Sequence, residues 1–414
     1  MSAALIPESL AHAAQMDAEA ARAGKRLTPS GGCTRGWLGR PPVPGSVQLS
    51  TAALRDVVHY ESDDLTITVQ AGLRFRDLQE LLARHRQWVP VNPPEAAGST
   101  LGGLLATGAC GSLRSRYGAW RDLTLGMSVA LSSGEVVKSG GRVVKNVTGY
   151  DVHKLHVGAL GTLGLIGQVS LKVLPVPAER RLVLASFAQT SDAVRAASSI
   201  AGSQLEPAAV EVLATPAGGE DVFGLRGVGP GAGSAGRWAL ADALRAGACL
   251  AVRLAGPAAG CARAVRDLRA IAQTTGSRRW AELEAAECDA AWAALDDAPV
   301  AAASVCRVTA PPATVGEMVS EGASLAGARF AADLAAGVLW LLWDEDALVA
   351  PAVERLRAKL GPSGATVLMK APEAVRAQVD VWGPPPPAYR LMLAVKRALD
   401  PANVWNPGRY VGEI

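Results

Sequence analysis

Apolar and polar residues follow each other in short runs along the first 177 residues. The stretch 59–72 predicts a turn at 62–64 and a strand that alternates as a half-buried strand does, whereas 74–87 places large apolar residues at helical spacing. Residues 122–141 predict a hairpin, because two β-rich runs flank a Ser-Ser-Gly turn. A strand is predicted over 167–177, where prolines end it. These elements are separated by loops rich in glycine.

After Pro177 the pattern changes to an alternation of strand-like and helix-like runs. The clearest strands are 181–187, 248–256 and 338–344. This order is typical of an α+β layer, in which a sheet carries helices on one face. We therefore expect the chain to divide near residue 178 and again near 375, and we interpret the loose segment 216–236 as a surface loop.

The composition is that of a globular protein. Of 414 residues, 49% are hydrophobic and 19% charged, and 41 basic residues nearly balance 38 acidic ones for a net charge of +3. This balance argues against nucleic-acid binding. The N-terminus has acidic residues and no basic run ahead of an apolar one, so we expect a cytoplasmic protein without a secretory signal. The longest apolar run, 337–343, is too short to span a membrane.

Six cysteines, at 33, 110, 249, 261, 288 and 306, form no CxxC pair. Iron–sulfur clusters and structural zinc sites need clustered thiolates, so we predict no metal site in this chain. His153 and His156 are three residues apart, but two ligands do not make a metal site, and we expect packed or surface histidines. Trp280, Trp292, Trp340 and Trp343 lie in amphipathic or apolar runs, which favours core packing.

Three glycine-rich segments, 28–36, 99–112 and 158–164, are the candidate binding elements. Glycine lets the backbone approach a ligand closely, and successive free N–H groups form a concave surface that suits phosphate oxygens. The chain has no match to the Walker A pattern. The glycines at 158–164 lead into a strand and lack the first G-x-G of the Rossmann fingerprint. The sequence therefore predicts a nucleotide-binding site, but one that belongs to neither the Walker A nor the Rossmann fold.

The residues that carry these glycines resemble a known family. STLGGLLATGACGS (99–112), RYGAWRDLTLG (116–126) and GGRVVKNVTGYDVHKLHVGALGTLGLIGQVSLKVLPVP (140–177) are similar to the FAD-binding domains of the vanillyl-alcohol-oxidase superfamily, also called PCMH-type. DPANVWNPGRY (400–410) resembles the C-terminus of the same group. Among its members, the chain looks like the two paralogous flavin subunits of bacterial glycolate oxidases. Its length and modest middle region are more similar to the smaller, FAD-binding E subunit.

The resemblance implies an α+β fold in three parts. These are a two-subdomain PCMH-type FAD-binding domain over 1–178, a smaller α+β cap domain over 179–375 with helices on one face of its sheet, and a C-terminal segment, 376–414, that packs back on the FAD domain. It also implies FAD as the cofactor, held without a covalent bond. Some members of the superfamily attach FAD through a residue near this position, but we expect Cys33 to be a small thiol rather than a thioether.

The same resemblance implies a role for each candidate residue. The loop that would cradle the pyrophosphate comprises Pro29, Ser30, Gly31, Gly32, Cys33 and Thr34. Residues near the ribityl chain and diphosphate would be Ser99, Thr100, Gly102 and Gly103, and a second contact loop would include Tyr117, Gly118 and Asp122. The isoalloxazine or adenosine side would be lined by Gly158, Gly161 and Gly164, with Ile166 at the adenine. The remaining implied contacts are Pro93, Gly108 and Thr162.

The roles of three further residues can each be interpreted in two ways. Lys145 and Asn146 either stabilise negative charge on reduced flavin or are a solvated lysine and a turn-forming asparagine. Asn406 either returns to the flavin edge or ends a helix, and the resemblance favours the flavin edge. No histidine lies beyond 156, so a base for taking a proton from a 2-hydroxy acid is not identifiable, and no catalytic residue is assigned.

The function implied by the resemblance is that of an FAD-binding subunit in a multi-subunit 2-hydroxy-acid dehydrogenase acting on glycolate or D-lactate. Its partners would be a larger flavin-containing catalytic subunit and an iron–sulfur subunit that takes the electrons onward. Association with the inner face of the cytoplasmic membrane would come only through those partners. Two alternatives stay open: a self-sufficient FAD-dependent oxidoreductase, and a flavin-fold scaffold without its own turnover.

Overall fold

The structure is a computed structural model that describes residues 4–143, 149–215, 235–245 and 247–414. The chain divides into two compact units. The first unit is made of Met1–Cys110, Gly118–Val176 and Pro384–Ile414, and the second of Gly111–Tyr117 and Pro177–Gly383. The short segment Gly111–Tyr117 thus belongs to the second unit, although it lies inside the range expected for the FAD-binding domain. The second unit also holds slightly more residues than the first, so it is not the smaller of the two.

The elements are numbered along the chain. The strands are β1 Leu27–Ser30, β2 Val47–Ser50, β3 Val57–Glu61, β4 Thr66–Gln70, β5 Gln87–Trp88, β6 Thr124–Ala130, β7 Val136–Gly140, β8 Leu165–Lys172, β9 Leu174–Pro175, β10 Glu179–Phe187, β11 Ala209–Ala214, β12 Ala248–Gly256, β13 Arg279–Glu284, β14 Ser304–Thr309, β15 Arg329–Asp333, β16 Val338–Trp343 and β17 Ala365–Lys370. The helices are α1 Leu10–Arg22, α2 Phe75–Ala83, α3 Leu101–Thr107, α4 Arg114–Tyr117, α5 Trp120–Leu123, α6 Thr190–Ala201, α7 Ala235–Leu244, α8 Ala258–Thr274, α9 Ala285–Ala301, α10 Pro312–Ala323, α11 Val349–Leu360, α12 Glu373–Arg376 and α13 Tyr389–Leu399.

The first unit is built on a five-stranded antiparallel sheet in the order β3-β4-β8-β6-β7. Alternate residues of its central strands point to one face and pack with α2, α3 and Trp120 in a single apolar cluster. Phe75 meets Trp120 edge to face, with ring centroids 5.7 Å apart. Thr100 caps α3, and Gly108 ends it in the left-handed conformation that glycine adopts without strain.

A second, smaller layer of the first unit brings the two ends of the chain together. β1 and β2 pair in parallel, and Leu27 forms a parallel bridge with Trp405 from the C-terminal segment. Leu27, Leu49 and Trp405 are buried together with the inner face of α1. The C-terminal segment is therefore part of the first unit, which the resemblance implied.

The second unit is an eight-stranded antiparallel sheet in the order β13-β10-β12-β11-β15-β16-β14-β17. One face packs against α6, α8, α10 and α11 in the largest apolar cluster of the described residues. Val183 and Ala185 of β10 point into that cluster, so the intervening Leu182 and Leu184 point to the opposite face, where they are also buried. There α7 and α9 cover the sheet. Helices thus lie on both faces at this end, rather than on one face throughout.

The tryptophans of the second unit differ in burial. Trp292 and Trp343 are buried, in keeping with core packing. Trp280 and Trp340 are only half-buried, and each lies beneath an arginine guanidinium, Arg269 at 5.1 Å and Arg307 at 5.9 Å from the ring centroid. These contacts have the geometry of cation–π pairs at the edge of the core.

Candidate cofactor site

A cavity of about 290 Å³ lies within the first unit. It is lined by the loop after β1, by one side of α3, by the segment that leads into β8, and by two residues of the C-terminal segment. Its volume is at the lower end of small-molecule sites, which run from about 300 to 1,000 Å³. All three glycine-rich segments singled out in the sequence contribute to its wall.

The loop after β1 presents its backbone to the cavity. Among the described residues, the N–H groups of Gly31, Gly32, Cys33 and Thr34 make no hydrogen bond. A side chain at Gly31 would overlap the Thr100 hydroxyl, and one at Gly32 would overlap a backbone carbonyl. Only glycine therefore lets this loop lie against the start of α3. The result is a row of free donors of the kind that binds phosphate oxygens.

Arg35 fixes this loop from within the fold. Its side chain is buried, and its guanidinium donates to the Thr34 hydroxyl at 2.9 Å, to the Ser99 hydroxyl at 2.5 Å and to the Pro94 carbonyl. Ser99 in turn bonds the Thr34 hydroxyl at 3.0 Å. A buried guanidinium needs this number of acceptors to offset its lost hydration. The loop is thereby held in one conformation at the cavity wall.

The segment before β8 is tied to α3 by its backbone. Gly158 N donates to Leu105 O at 2.9 Å, and Leu160 N donates to Ala106 O at 2.7 Å. Gly161 follows with φ +66°, where a Cβ atom would stand 2.5 Å from Pro29 Cγ. This glycine is required both for its left-handed backbone and for its close contact with the loop after β1.

The C-terminal segment closes the cavity with Asn406 and Arg409. Asn406 has φ +41°, a conformation that asparagine tolerates, and its Nδ2 donates to Leu160 O at 2.7 Å. Its Oδ1 is buried without a hydrogen-bond partner among the described residues. Thr28 Oγ1 is a second buried polar atom at the cavity that lacks such a partner. Both atoms are ready to bond a polar ligand, because a buried polar group left unpaired is costly.

The charge of the cavity selects for an anion. Arg35 and Arg409 are its two charged residues among those described, and no carboxylate lines it. Arg409 is buried and donates to the carbonyls of Gly36 and Leu38 at 3.2 and 3.0 Å. Four free amides beside the positive charges of two arginines match the needs of a dianionic diphosphate. The donor set present therefore fits the diphosphate part of a dinucleotide such as FAD.

The structure brings together most of the residues singled out in the sequence. Those that line the cavity are Pro29, Ser30, Gly31, Gly32, Cys33, Thr34, Thr100, Gly102, Gly103, Gly161, Gly164, Ile166 and Asn406. Cys33 has φ +55° and is exposed, and its Sγ contacts only the Gly31 carbonyl, at 3.6 Å, among the side-chain hydrogen bonds described. Lys145 and Asn146 lie outside the described residues.

Other predicted contacts have different places in the fold. Those that do not line the cavity are Pro93, Ser99, Gly108, Tyr117, Gly118, Asp122, Gly158 and Thr162. Ser99 supports the loop after β1 from behind, as described above. Asp122 accepts a hydrogen bond from Ala119 N at 2.8 Å and so caps α5. Tyr117 belongs to the second unit.

The cavity residues that were not predicted as individual cofactor contacts include the two arginines, Arg35 and Arg409. Further lining residues of this kind are Thr28, Gly36, Leu38, Pro42, Gln48, Thr51, Ala106, Thr107, Leu160 and Leu165. Arg35 directly follows the first glycine loop, so a cation beside free backbone donors was an available signal. Arg409 gave no such signal, because it reaches the cavity only when the C-terminal segment pairs with β1, about 380 residues earlier in the chain.

The two histidines near the glycine segments are buried outside the cavity. His153 Nδ1 lies 3.2 Å from the Ser139 hydroxyl, and burial lowers its pKa. Burial, with a smaller contribution from His153, lowers the pKa of His156 to about 4. Both imidazoles are therefore neutral at pH 7. Among the described residues, no group of three or more His, Cys, Asp or Glu side chains could hold a metal ion, and no helix is long and apolar enough to cross a membrane.

The fold and the donor set of the cavity resemble those of FAD-binding proteins of the FAD-linked oxidase class. Comparison with known families agrees with this class. Residues 1–140 match the family described as "FAD binding domain", and residues 384–410 match "FAD linked oxidases, C-terminal domain". The two matched ranges include the loop after β1, α3, Asn406 and Arg409, so they cover most of the cavity wall. FAD is the cofactor that both descriptions indicate.

Individual relatives resemble part of the chain. Glycolate oxidase subunit GlcD of Bacillus subtilis is 30% identical over 190 residues, which is 46% of this chain and 40% of that protein. Glycolate oxidase subunit GlcE of Escherichia coli is 36% identical over 152 residues, covering 36% of this chain and 43% of that protein. The mitochondrial D-lactate dehydrogenase [cytochrome] of Arabidopsis thaliana is 31% identical over 188 residues, which is 45% of this chain and 33% of that protein. The chain thus aligns with between a third and a half of each of these relatives.

A solved structure extends the likeness to the whole fold. An alkyldihydroxyacetonephosphate synthase superposes on 97% of this chain and 75% of its own, with a TM-score of 0.68 and 17% sequence identity. At that identity the likeness concerns the fold alone. Both units of this chain therefore have counterparts in one known protein architecture.

Proposed function

We propose that this chain is an FAD-binding subunit of a multi-subunit 2-hydroxy-acid dehydrogenase that oxidises glycolate or D-lactate. In the proposed complex a larger flavin subunit oxidises the substrate, and an iron–sulfur subunit takes the electrons onward. The names of the relatives support the substrate class, and the word subunit in two of them supports a heteromeric complex. Peripheral association with the cytoplasmic membrane would come through those partners.

The observation that carries the proposal is the anion site of the first unit. Free amides of the loop after β1, Arg35 and Arg409 would hold the diphosphate of FAD, and Asn406 Oδ1 would bond a polar atom of the cofactor. Bound FAD supplies two-electron chemistry and can release its electrons one at a time. The chain itself would bind and orient the cofactor through these groups.

The first experiment is an absorption spectrum of the purified chain, followed by acid precipitation. We expect a flavin spectrum and a colourless pellet with free FAD in the supernatant, because the proposed site holds the cofactor by hydrogen bonds and charge and not by a covalent bond. A colourless protein that also fails to bind added FAD would contradict the proposal.

The second experiment tests the complex. Affinity purification from the native host, with the captured chains identified, should recover a second flavin chain and an iron–sulfur chain at constant ratio. The purified assembly should then reduce an artificial acceptor with glycolate or D-lactate, whereas this chain alone should not. Turnover by the isolated chain would instead favour a self-sufficient FAD-dependent oxidoreductase.

A further inference from the structure

A buried lysine lies at the junction of three chain segments in the first unit. Lys396 of α13 is 4% exposed, and its ammonium group donates three hydrogen bonds. They run to Asp400 Oδ2 at 2.6 Å, to Thr162 O at 2.7 Å and to Trp405 O at 2.9 Å. An ammonium has three donors, so all of them are used. Lysine is rarely buried unless it is paired in this way.

Asp400 is the matching acid and is itself 1% exposed. Besides Lys396, it accepts hydrogen bonds from Val404 N at 3.0 Å and from Trp405 N at 2.8 Å. The aspartate therefore fixes the turn that follows α13. Val404 and Trp405 then leave this turn in the direction that pairs with β1.

The pair connects to two of the backbone segments that line the cavity, the segment before β8 and the loop after β1. On one side, Lys396 holds the carbonyl of Thr162, which stands between Gly161 and Gly164 of the cavity wall. On the other side, the fixed turn lets Leu27 N donate to Val404 O at 2.8 Å and Asn406 N donate to Leu27 O at 2.9 Å. Leu27 begins the strand that leads into the free amides of Gly31 to Thr34.

We propose that Lys396 and Asp400 act as a positioning pair that sets the spacing between the two cavity loops and thereby determines FAD affinity. The proposal rests on FAD binding by the first unit. Neither side chain lines the cavity, so the pair acts through the loops and not by contact with the cofactor. A buried ion pair contributes little net stability compared with apolar side chains of the same size. We therefore look for the effect of this pair in the relative position of the two cavity loops, and not in stability alone.

The test is Lys396→Met in the full-length chain, which keeps an unbranched side chain but removes all three bonds. FAD affinity is measured by titrating apoprotein with FAD and following flavin fluorescence. Backbone mobility is measured by hydrogen exchange of apoprotein, for peptides over 27–34, 158–166 and β10. We expect at least a tenfold rise in the FAD dissociation constant, with faster exchange at 27–34 and 158–166 and unchanged exchange in β10.

The matched control is Arg253→Met in the second unit. Arg253 is 7% exposed, pairs with Asp289 at 3.4 Å and lies over Trp292, so its loss also removes a buried cation. We expect this variant to keep the wild-type FAD affinity. If both variants lose FAD equally, the effect is general destabilisation and the positioning role is wrong. Wild-type affinity in Lys396→Met would overturn it as well.

A second variant keeps the test decisive if Lys396→Met does not fold. Asp400→Asn retains the shape and one acceptor but removes the charge, and it should give the same pattern of exchange with a smaller loss of affinity. If Asp400→Asn leaves both quantities at wild-type values, the proposal fails. Failure of wild-type protein to bind FAD would instead contradict the proposed function, so the two failures are distinguishable.

Discussion

Replacing Asp17 by Asn should stabilise the protein at alkaline pH and have little effect in acid. Asp17 lies on the buried face of α1, and neither of its carboxylate oxygens has a hydrogen-bond partner among the described residues. Burial, with a smaller contribution from the charge of Asp400, raises the pKa of Asp17 from 3.8 to about 8. The folded protein therefore holds a proton that the unfolded chain releases above about pH 4.

The sign and size of the effect follow from proton linkage. A carboxyl group whose pKa is raised on folding contributes stability that is fully present below its unfolded pKa of 3.8 and is lost as the pH rises to about 8. Each unit of pKa shift corresponds to ~1.4 kcal/mol, so the upper bound is ~6 kcal/mol. Side chains and water rearrange around the ionised carboxylate, so we expect a gain of ~2–3 kcal/mol for Asp17→Asn at pH 8.5.

The assay is urea unfolding from pH 4 to 9, read by hydrogen exchange of peptides from the first unit, because the two units need not unfold together. The difference in unfolding free energy between Asp17→Asn and wild type should be near zero at pH 4 and grow steadily towards pH 8. Asp63→Asn removes an exposed carboxylate of the same unit and serves as the control. A constant difference across the pH range would refute the assignment of a protonated, buried Asp17.

Three other changes test the cavity. Arg35→Met should raise the FAD dissociation constant by roughly 10- to 100-fold in a fluorescence titration, since a hydrogen bond to a charged group contributes ~1.5–3 kcal/mol; an unchanged constant would exclude Arg35 from the anion site. Gly161→Ala should lower the unfolding temperature more than Gly24→Ala, because both have φ near +65° but only Gly161 has an atom within 4 Å of the added Cβ; equal losses would contradict the close contact with Pro29. Cys33→Ser should leave bound FAD unchanged and still released by acid, and loss of an acid-stable flavin in this variant would reveal a thioether.

Elements with strong local patterns were predicted well. The run at 248–256 coincides with β12, and the run of helical spacing at 74–87 contains α2, Phe75–Ala83. The alternating stretch 59–72 is a hairpin of β3 and β4 around the expected turn. β12 is buried along most of its length, as a continuous apolar run indicates, and α2 buries Phe75, Leu78 and Leu82 at helical spacing, so the neighbours in sequence contain the required information.

Elements without such a pattern were missed. α9 contains Pro299 and is rich in alanine on all sides, so neither its period nor its end is visible in the sequence. α10 carries two glycines, Gly316 and Gly322, which are poor helix formers. β15 is a five-residue strand whose half-buried centre, Ala331, has no large side chain. The tertiary contacts of the eight-stranded sheet, and not local propensity, fix these elements.

The cavity shows the same division between local and distant information. Its glycines were predicted because a close backbone approach imposes glycine at the position itself. The features that complete the site depend instead on pairs far apart in the chain, with Lys396 and Thr162 separated by 234 positions and Asn406 and Leu160 by 246. In sequence, Lys396 is one cation in an amphipathic helix, and its burial follows only when α13, the segment before β8 and β1 come together. The loops that would bind FAD are therefore encoded locally, whereas their alignment is encoded in the C-terminal segment, which is why changes there should alter affinity for a cofactor that those side chains do not touch.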